Sequence, residues 1–366
     1  MDGFVPQSVD ANAIRLGGER HRNVTLTAKK DCNQEVSMSG RRVWSVGLLA
    51  AVVAAAVLTS SVGGQSQSPT PAAQWPKTPW GDPDLQGTWN FGTITPLERP
   101  EKFGNREFLT PEEVAQLNKD SSERATAERR KELSAAEDVE LAYNQFWWDR
   151  GSSTNRTSLI KDPPDGRLPL TPEGRAQRAA QNKRGFDTWA DRSLSERCIV
   201  YRPVPVRSTG YNNNNVIVQA PGYVAMYQEQ IHETRIIALD GRPHLGGKIR
   251  PWLGDSRGRW EGNTLVVETT NFNVKNVYEG STGNRTVVER FAPIDAKTIS
   301  YDFTVTDPAV YSRPWTGTMP WRKVTDEVFE YACHEGNYSM VHMLGGARVQ
   351  EKQLAASPSG RVTRKR

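Results

Sequence analysis

Cysteine is nearly absent from this chain and histidine is scarce, with 3 Cys and 5 His in 366 residues. So few thiols exclude a disulfide-dense scaffold and a multi-cysteine zinc module. A phosphate-binding loop and a dinucleotide fingerprint are also missing, and the one Gly-x-Ser-x-Gly spacing, Gly254-Asp-Ser-Arg-Gly258, reads as a loop ahead of a strand, not as the strand-to-helix turn of a nucleophile elbow. These readings leave nucleotide-hydrolysing, Rossmann and serine-nucleophile chemistry without support. No sign of charge dominates. Lys and Arg number 47 against 42 Asp and Glu, a net charge of +5, which gives no argument for nucleic acid as a partner. The one dense basic cluster, Arg361-Val-Thr-Arg-Lys-Arg366, reads as a solvated tail.

A bilayer-spanning run is lacking as well. The apolar stretch from Val43 to Leu58 has 16 residues, short of the roughly 20 that a transmembrane helix needs. Arg41-Arg42 precede it, and the small residues Thr59-Ser60-Ser61 and Val62-Gly63-Gly64 follow. Charge, apolar run, small residues is the order of a secretory signal peptide. An uncleaved anchor and a twin-arginine signal are the alternatives. The expected organisation is an extension over 1–37 ahead of a start at Met38, a signal peptide over 38–65 and a linker over 66–83. A single β-rich domain over 84–348 and a disordered basic tail over 349–366 complete it. The expected location is periplasmic or secreted, with no stable membrane span after cleavage. Oligomeric state is not legible. Cys32 precedes the apolar run, which leaves Cys198 and Cys333 for a disulfide in an oxidising compartment. Two free thiols, or a thiolate ligand at Cys333 beside His334, are the alternatives.

Two helix starts are readable. Thr110-Pro-Glu-Glu113 places an N-cap, a first-turn proline and an acid at the third position, for a helix to about Leu133. Thr171-Pro-Glu-Gly174 opens a second helix to about Arg184. Residues 144–150 and 156–161 read as a hairpin around a five-residue loop. From Asn215 the pattern is nearly all β. Expected strands are 216–219, 223–229, 234–238, 264–271, 286–292, 298–306, 317–324 and 328–333, and 255–260 reads as a loop. Strands this short and regular predict a mainly β fold, an antiparallel barrel or sandwich with two short helices inserted in its N-terminal half.

Gly87-x-Trp89 resembles the opening motif of lipocalin-like (calycin) barrels. Four longer motifs are more specific: Pro83-Asp-Leu-Gln-Gly-Thr-Trp89, Asp240-Gly-Arg-Pro-His244, the run from Trp252 to Phe272, and Tyr331-Ala-Cys-His-Glu-Gly-Asn-Tyr338. Together they resemble a family of uncharacterised exported proteins frequent in soil bacteria, over most of residues 80–348. The resemblance implies export and a lipocalin-like barrel, and carries no catalytic residue over. Some relatives have His-Glu-x-x-His where this chain has Gln228-Glu229-Gln230-Ile231-His232. That departure speaks against a zinc protease, which needs both histidines on one helical face.

Candidate chemistry rests on the remaining histidines and nearby acids. His232 lies between Glu229 and Glu233, and His334 is followed by Glu335. With Glu268, a strand carboxylate, the residues His232, Glu229, Glu268, His334 and Glu335 form a candidate acid–base set. Ordinary turn hydrogen bonding is the alternative. No pair of histidines has tight ligand spacing, so no metal is expected, and no motif implies a cofactor. Trp252, Asp255, Arg257, Trp260, His244 and Tyr301 are candidate ligand-binding residues. Glu289 alternates with Val287 and Phe291 on an apolar face, which requires an ion-pair partner such as Arg235 or Arg290, or makes it a lumen acid. Two readings remain open: a protein that holds a small-molecule ligand within its barrel, and a hydrolase, lyase or isomerase using His and carboxylate. The enzyme reading requires His232, His334, Glu335 and one of Glu229 or Glu268 to converge at a cavity.

Overall fold

Ile299, Tyr301, Phe303 and Val305 are buried, while Ser300, Asp302 and Thr304 between them are only partly covered. That period of two is what a strand with one face on a core requires. The structure is a computed structural model that describes residues 75–124, 149–182 and 185–356. The expected extension, signal peptide, first part of the linker, continuation of the first helix past Arg124, residues 144–148 of the hairpin and last part of the basic tail lie outside the described residues.

The strands are β1 (Gly87–Asn90), β2 (Ile160–Asp162), β3 (Asn214–Ala220), β4 (Tyr223–Gln228) and β5 (Thr234–Ala238). They continue with β6 (Asp255–Glu261), β7 (Thr264–Thr270), β8 (Thr286–Asp295), β9 (Thr298–Thr306) and β10 (Trp315–Val324). Nine of them close into a barrel, in the order β1-β3-β4-β5-β6-β7-β8-β9-β10 and back to β1. β2 lies beside the first residues of β10. Closure pairs strand edges that would otherwise be open.

The barrel is not antiparallel throughout. β5 and β6 run parallel and meet only at Ala238 and Arg257. The cause is the connection 239–254, which carries the chain back to the starting end of β5 before β6 begins. β6 itself occupies what the sequence reads as a loop. Conversely, residues 328–333 are no strand: Phe329 is exposed, and the segment is held by the Cys198–Cys333 disulfide instead of a ladder. Arg156 makes a single bridge with Phe108 in place of the described part of the expected hairpin.

Helix α1 (Pro111–Arg124) starts on a reciprocal cap, with Glu113 N–H donating to Thr110 Oγ1 at 3.3 Å and Thr110 N–H to Glu113 Oε2 at 2.8 Å. Helix α2 (Pro172–Asn182) is capped by Thr171, whose Oγ1 accepts from Gly174 N–H at 3.0 Å. Helix α3 (Tyr338–Ala356) runs past residue 348.

Side chains fill the barrel. Trp89, Trp315 and Trp321 are essentially inaccessible and join Phe91, Phe291, Tyr301 and Phe303 in one cluster. Ring centroids of Phe291, Tyr301 and Trp321 lie 4.9–5.2 Å apart in tilted or edge-to-face pairs, the geometries aromatic quadrupoles favour. Gly317 on β10 faces Phe303 on β9, and a Cβ there would stand 2.3 Å from the ring. Only glycine admits the phenyl ring at that point. An ion pair lies in the packed interior: the Arg235 guanidinium grips the Glu289 carboxylate through both Nη atoms, and Tyr301 Oη donates to Glu289 Oε1 at 2.7 Å. Tyr301 therefore belongs to the packed interior.

Candidate functional site

The parallel seam positions most of the predicted ligand-binding residues. Residues at i and i+2 of a strand share a face, so Asp255 and Arg257 of β6 point the same way, and Glu268 of β7 stands opposite Arg257. The crossover 239–254 lays His244 over this face. His244 Nδ1 is 2.8 Å from Asp255 Oδ2, and its Nε2 is 3.1 Å from Glu268 Oε1. Asp255, buried, also takes the Leu245 N–H at 2.9 Å and pairs with Arg257 Nη1 at 2.7 Å. Arg257 reaches back to Pro243 O, and Asn271 Nδ2 to Leu245 O. The crossover, β6 and β7 are thus bound together by charged and amide groups.

Imidazole placed between two carboxylates has a defined proton logic. With both acids ionised, both contacts are hydrogen bonds only if both ring nitrogens donate. With a neutral ring, one carboxyl must carry the proton. The His244 side chain is partly exposed and Glu268 more so, while Asp255 is enclosed. The inner acid orients the ring and the outer acid faces water.

On its other side the seam opens into a cleft of about 400 Å³. Glu233, Ile236, Trp252, Leu253, Asp255 and Ser256 are among the residues that line it. The cleft exists because β5 and β6 touch at one residue pair and leave their starts apart. Glu233 enters at the turn into β5. Burial pushes its carboxyl up to about 8, and the backbone N–H groups of Tyr201 and Arg202 offset only part of that. Its Oε2 is buried without a hydrogen-bond partner. A carboxyl in that state carries its proton at neutral pH and can donate it.

The predicted acid–base set does not converge. His232 sits in a turn with Ile231, both at positive φ. Its Nδ1 is 2.6 Å from Tyr227 Oη, and its Nε2 accepts the Tyr331 N–H at 2.6 Å. An accepting Nε2 fixes the neutral tautomer with the proton on Nδ1. Glu229 takes the Asn214 N–H at 3.1 Å, and burial raises its carboxyl. His334 and Glu335 are exposed on the turn after Cys333 and make none of these contacts. Glu268 belongs to the His244 cluster. Among the ligand-binding candidates, Trp252 and Asp255 line the cleft, His244 and Arg257 back Asp255, Trp260 packs against the core and Tyr301 lies inside it.

Glu233 is the residue that sequence reading passes over. It stands out only once the segment 199–202 is folded against it, and no local signal reports that. Among the described residues, no group of three or more His, Cys, Asp and Glu is placed to hold a metal ion, and no helix is long and apolar enough to cross a membrane. No protein family, curated protein or solved structure matches this chain.

Proposed function

We propose that this is an exported, lipocalin-like protein that binds a small molecule in the seam cleft, outside a filled barrel. The observation that carries the reading is that cleft itself. It brings an apolar wall and an indole, from Ile236, Leu253 and Trp252, against two carboxyl groups and a hydroxyl, from Glu233, Asp255 and Ser256. An apolar surface with a few fixed polar groups is the usual make-up of a ligand site. The signal-like segment after Arg41-Arg42 and the Cys198–Cys333 disulfide support export to the periplasm or beyond. The filled interior favours the seam over the lumen as the binding place. Native mass spectrometry of protein recovered from an oxidising compartment tests this. A co-purifying small molecule retained by the wild type and lost from a folded Trp252→Ala variant is expected. Equal retention by both contradicts the seam.

A second reading has its own observation. Glu233, held protonated by burial, shares the cleft with Asp255, which is ion-paired to Arg257 and bonded to His244. Neighbouring carboxyls in contrasting environments are the arrangement of an acid and a base. A hydrolase, lyase or isomerase of this design loses turnover in Glu233→Gln with its fold intact. Binding without turnover in the wild type excludes it.

A further inference from the structure

A second cleft, of about 460 Å³, lies away from the seam, between the loop after β1, helix α1 and the segments 150–157 and 208–210. Its chemistry differs from that of the seam. Lys102, Arg150 and Arg156 line it, and no carboxylate does among the described residues. Ile94, Phe103, Leu109 and Leu117 supply an apolar floor.

The hydroxyl groups of the walls are engaged in holding the cleft's shape. Thr93 Oγ1 donates to Ser152 O at 2.8 Å, Thr95 and Thr154 share a bond of 2.9 Å, and Thr157 Oγ1 donates to Arg106 O at 2.7 Å while accepting from Arg99 Nε at 2.9 Å. Ser153 N–H donates to Asn118 Oδ1 at 2.7 Å and ties α1 to the floor. A cleft stitched this way is pre-formed, so little ordering cost falls on a ligand.

Arg156 is the residue that points to what the cleft takes. Its Nη1 pairs with Glu107 at 2.8 Å and its Nε donates to Ser158 O at 3.2 Å. Its Nη2 is buried and has no hydrogen-bond partner among the described residues. A buried guanidinium N–H left unpaired is costly, and an anionic oxygen is the group that best satisfies it. Lys102, exposed at the rim with its Nζ 4.9 Å from the Phe103 ring centroid, adds a second positive charge beside an aromatic surface.

We propose that this cleft binds a small organic anion, an apolar body carrying one carboxylate or phosphate, with the anionic group on Arg156 and Lys102 and the body on Ile94, Phe103 and Leu117. The site is separate from the seam and its ligand is of opposite preference, since the seam presents carboxyl groups.

Titration of the full chain with benzoate, phenyl phosphate and benzyl alcohol, followed through the methyl resonances of Ile94, Leu109 and Leu117, tests the assignment. Benzoate or phenyl phosphate shifts these methyls saturably and benzyl alcohol does not; whichever anion is tighter names the headgroup. Arg156→Gln and Lys102→Gln each weaken that binding by about tenfold and leave the Ile217 and Ile299 methyls of the barrel unchanged. Binding of the alcohol as strongly as the anions overturns the proposal. So does the absence of saturable shifts, or anion binding indifferent to both substitutions.

Discussion

His244 Nδ1 stands 2.8 Å from Asp255 Oδ2, and this contact joins the crossover to the first residue of the strand that it delivers. The same carboxylate oxygen accepts the Leu245 N–H, and the other oxygen pairs with Arg257. Asp255 is therefore a hinge pin between the crossover and the barrel as well as a wall of the cleft. Asp255→Asn leaves Arg257 without its charged partner and costs about 1–3 kcal/mol. Amide exchange should quicken at Leu245 more than in β9. Unchanged exchange at Leu245 contradicts the role given to this contact.

The enclosed ion pair of Arg235 and Glu289 behaves differently from a surface bridge. Both side chains lie in the packed interior, so Glu289→Gln strands a buried guanidinium and costs about 3–5 kcal/mol. Replacing both residues by apolar ones of similar volume removes two desolvation costs together and is close to neutral, or stabilising. A double-mutant cycle by denaturant unfolding checks both statements.

Gly317 and Phe303 make a test of packing alone. Gly317→Ala drives a methyl into the phenyl ring and costs about 1–3 kcal/mol. Phe303→Leu in the same chain recovers part of that loss, although it costs stability by itself. An alanine variant as stable as the wild type contradicts the close approach.

Glu233 gives stability a pH dependence of definite sign. Its carboxyl ordinarily titrates near 4.5, and in the folded protein it titrates near 8. Between those values the folded chain holds a proton that the unfolded chain has released. Stability therefore falls as pH rises through that window, by at most about 1.4 kcal/mol per pH unit, and levels off above it. Glu229, also raised by burial, adds in the same direction. Glu233→Gln removes its share, so urea unfolding between pH 5 and 8 should show a flatter profile for the variant.

Where local chemistry decides, the sequence already shows the fold. Thr110 and Thr171 cap the helices that their spacing predicts, and the alternation from Ile299 to Val305 gives both β9 and its buried face. β6 is illegible for a physical reason. Its residues Asp255-Ser-Arg-Gly-Arg have no apolar alternation, because the inward positions are Ser256 and Gly258 and the outward ones serve the His244 cluster. Residues 328–333 look like a strand but find no partner, since a disulfide and the Tyr331–His232 bond hold them. The abundance of tryptophan is in part a core requirement, met by Trp89, Trp315 and Trp321. The grouping of His244 with Asp255 and Glu268 and the cleft depend on one parallel contact between β5 and β6, and the state of Glu233 depends on the packing of 199–202 against it. No spacing within a single segment reports a contact of that kind.

The most direct test of the seam as the binding place is a crystal structure of protein recovered from an oxidising compartment with its co-purified small molecule retained. The account predicts that molecule against Trp252, within hydrogen-bond reach of Glu233 or Asp255, with the barrel interior still closed by Trp315, Trp321 and Tyr301. A molecule inside the barrel, with those rings displaced, would contradict it.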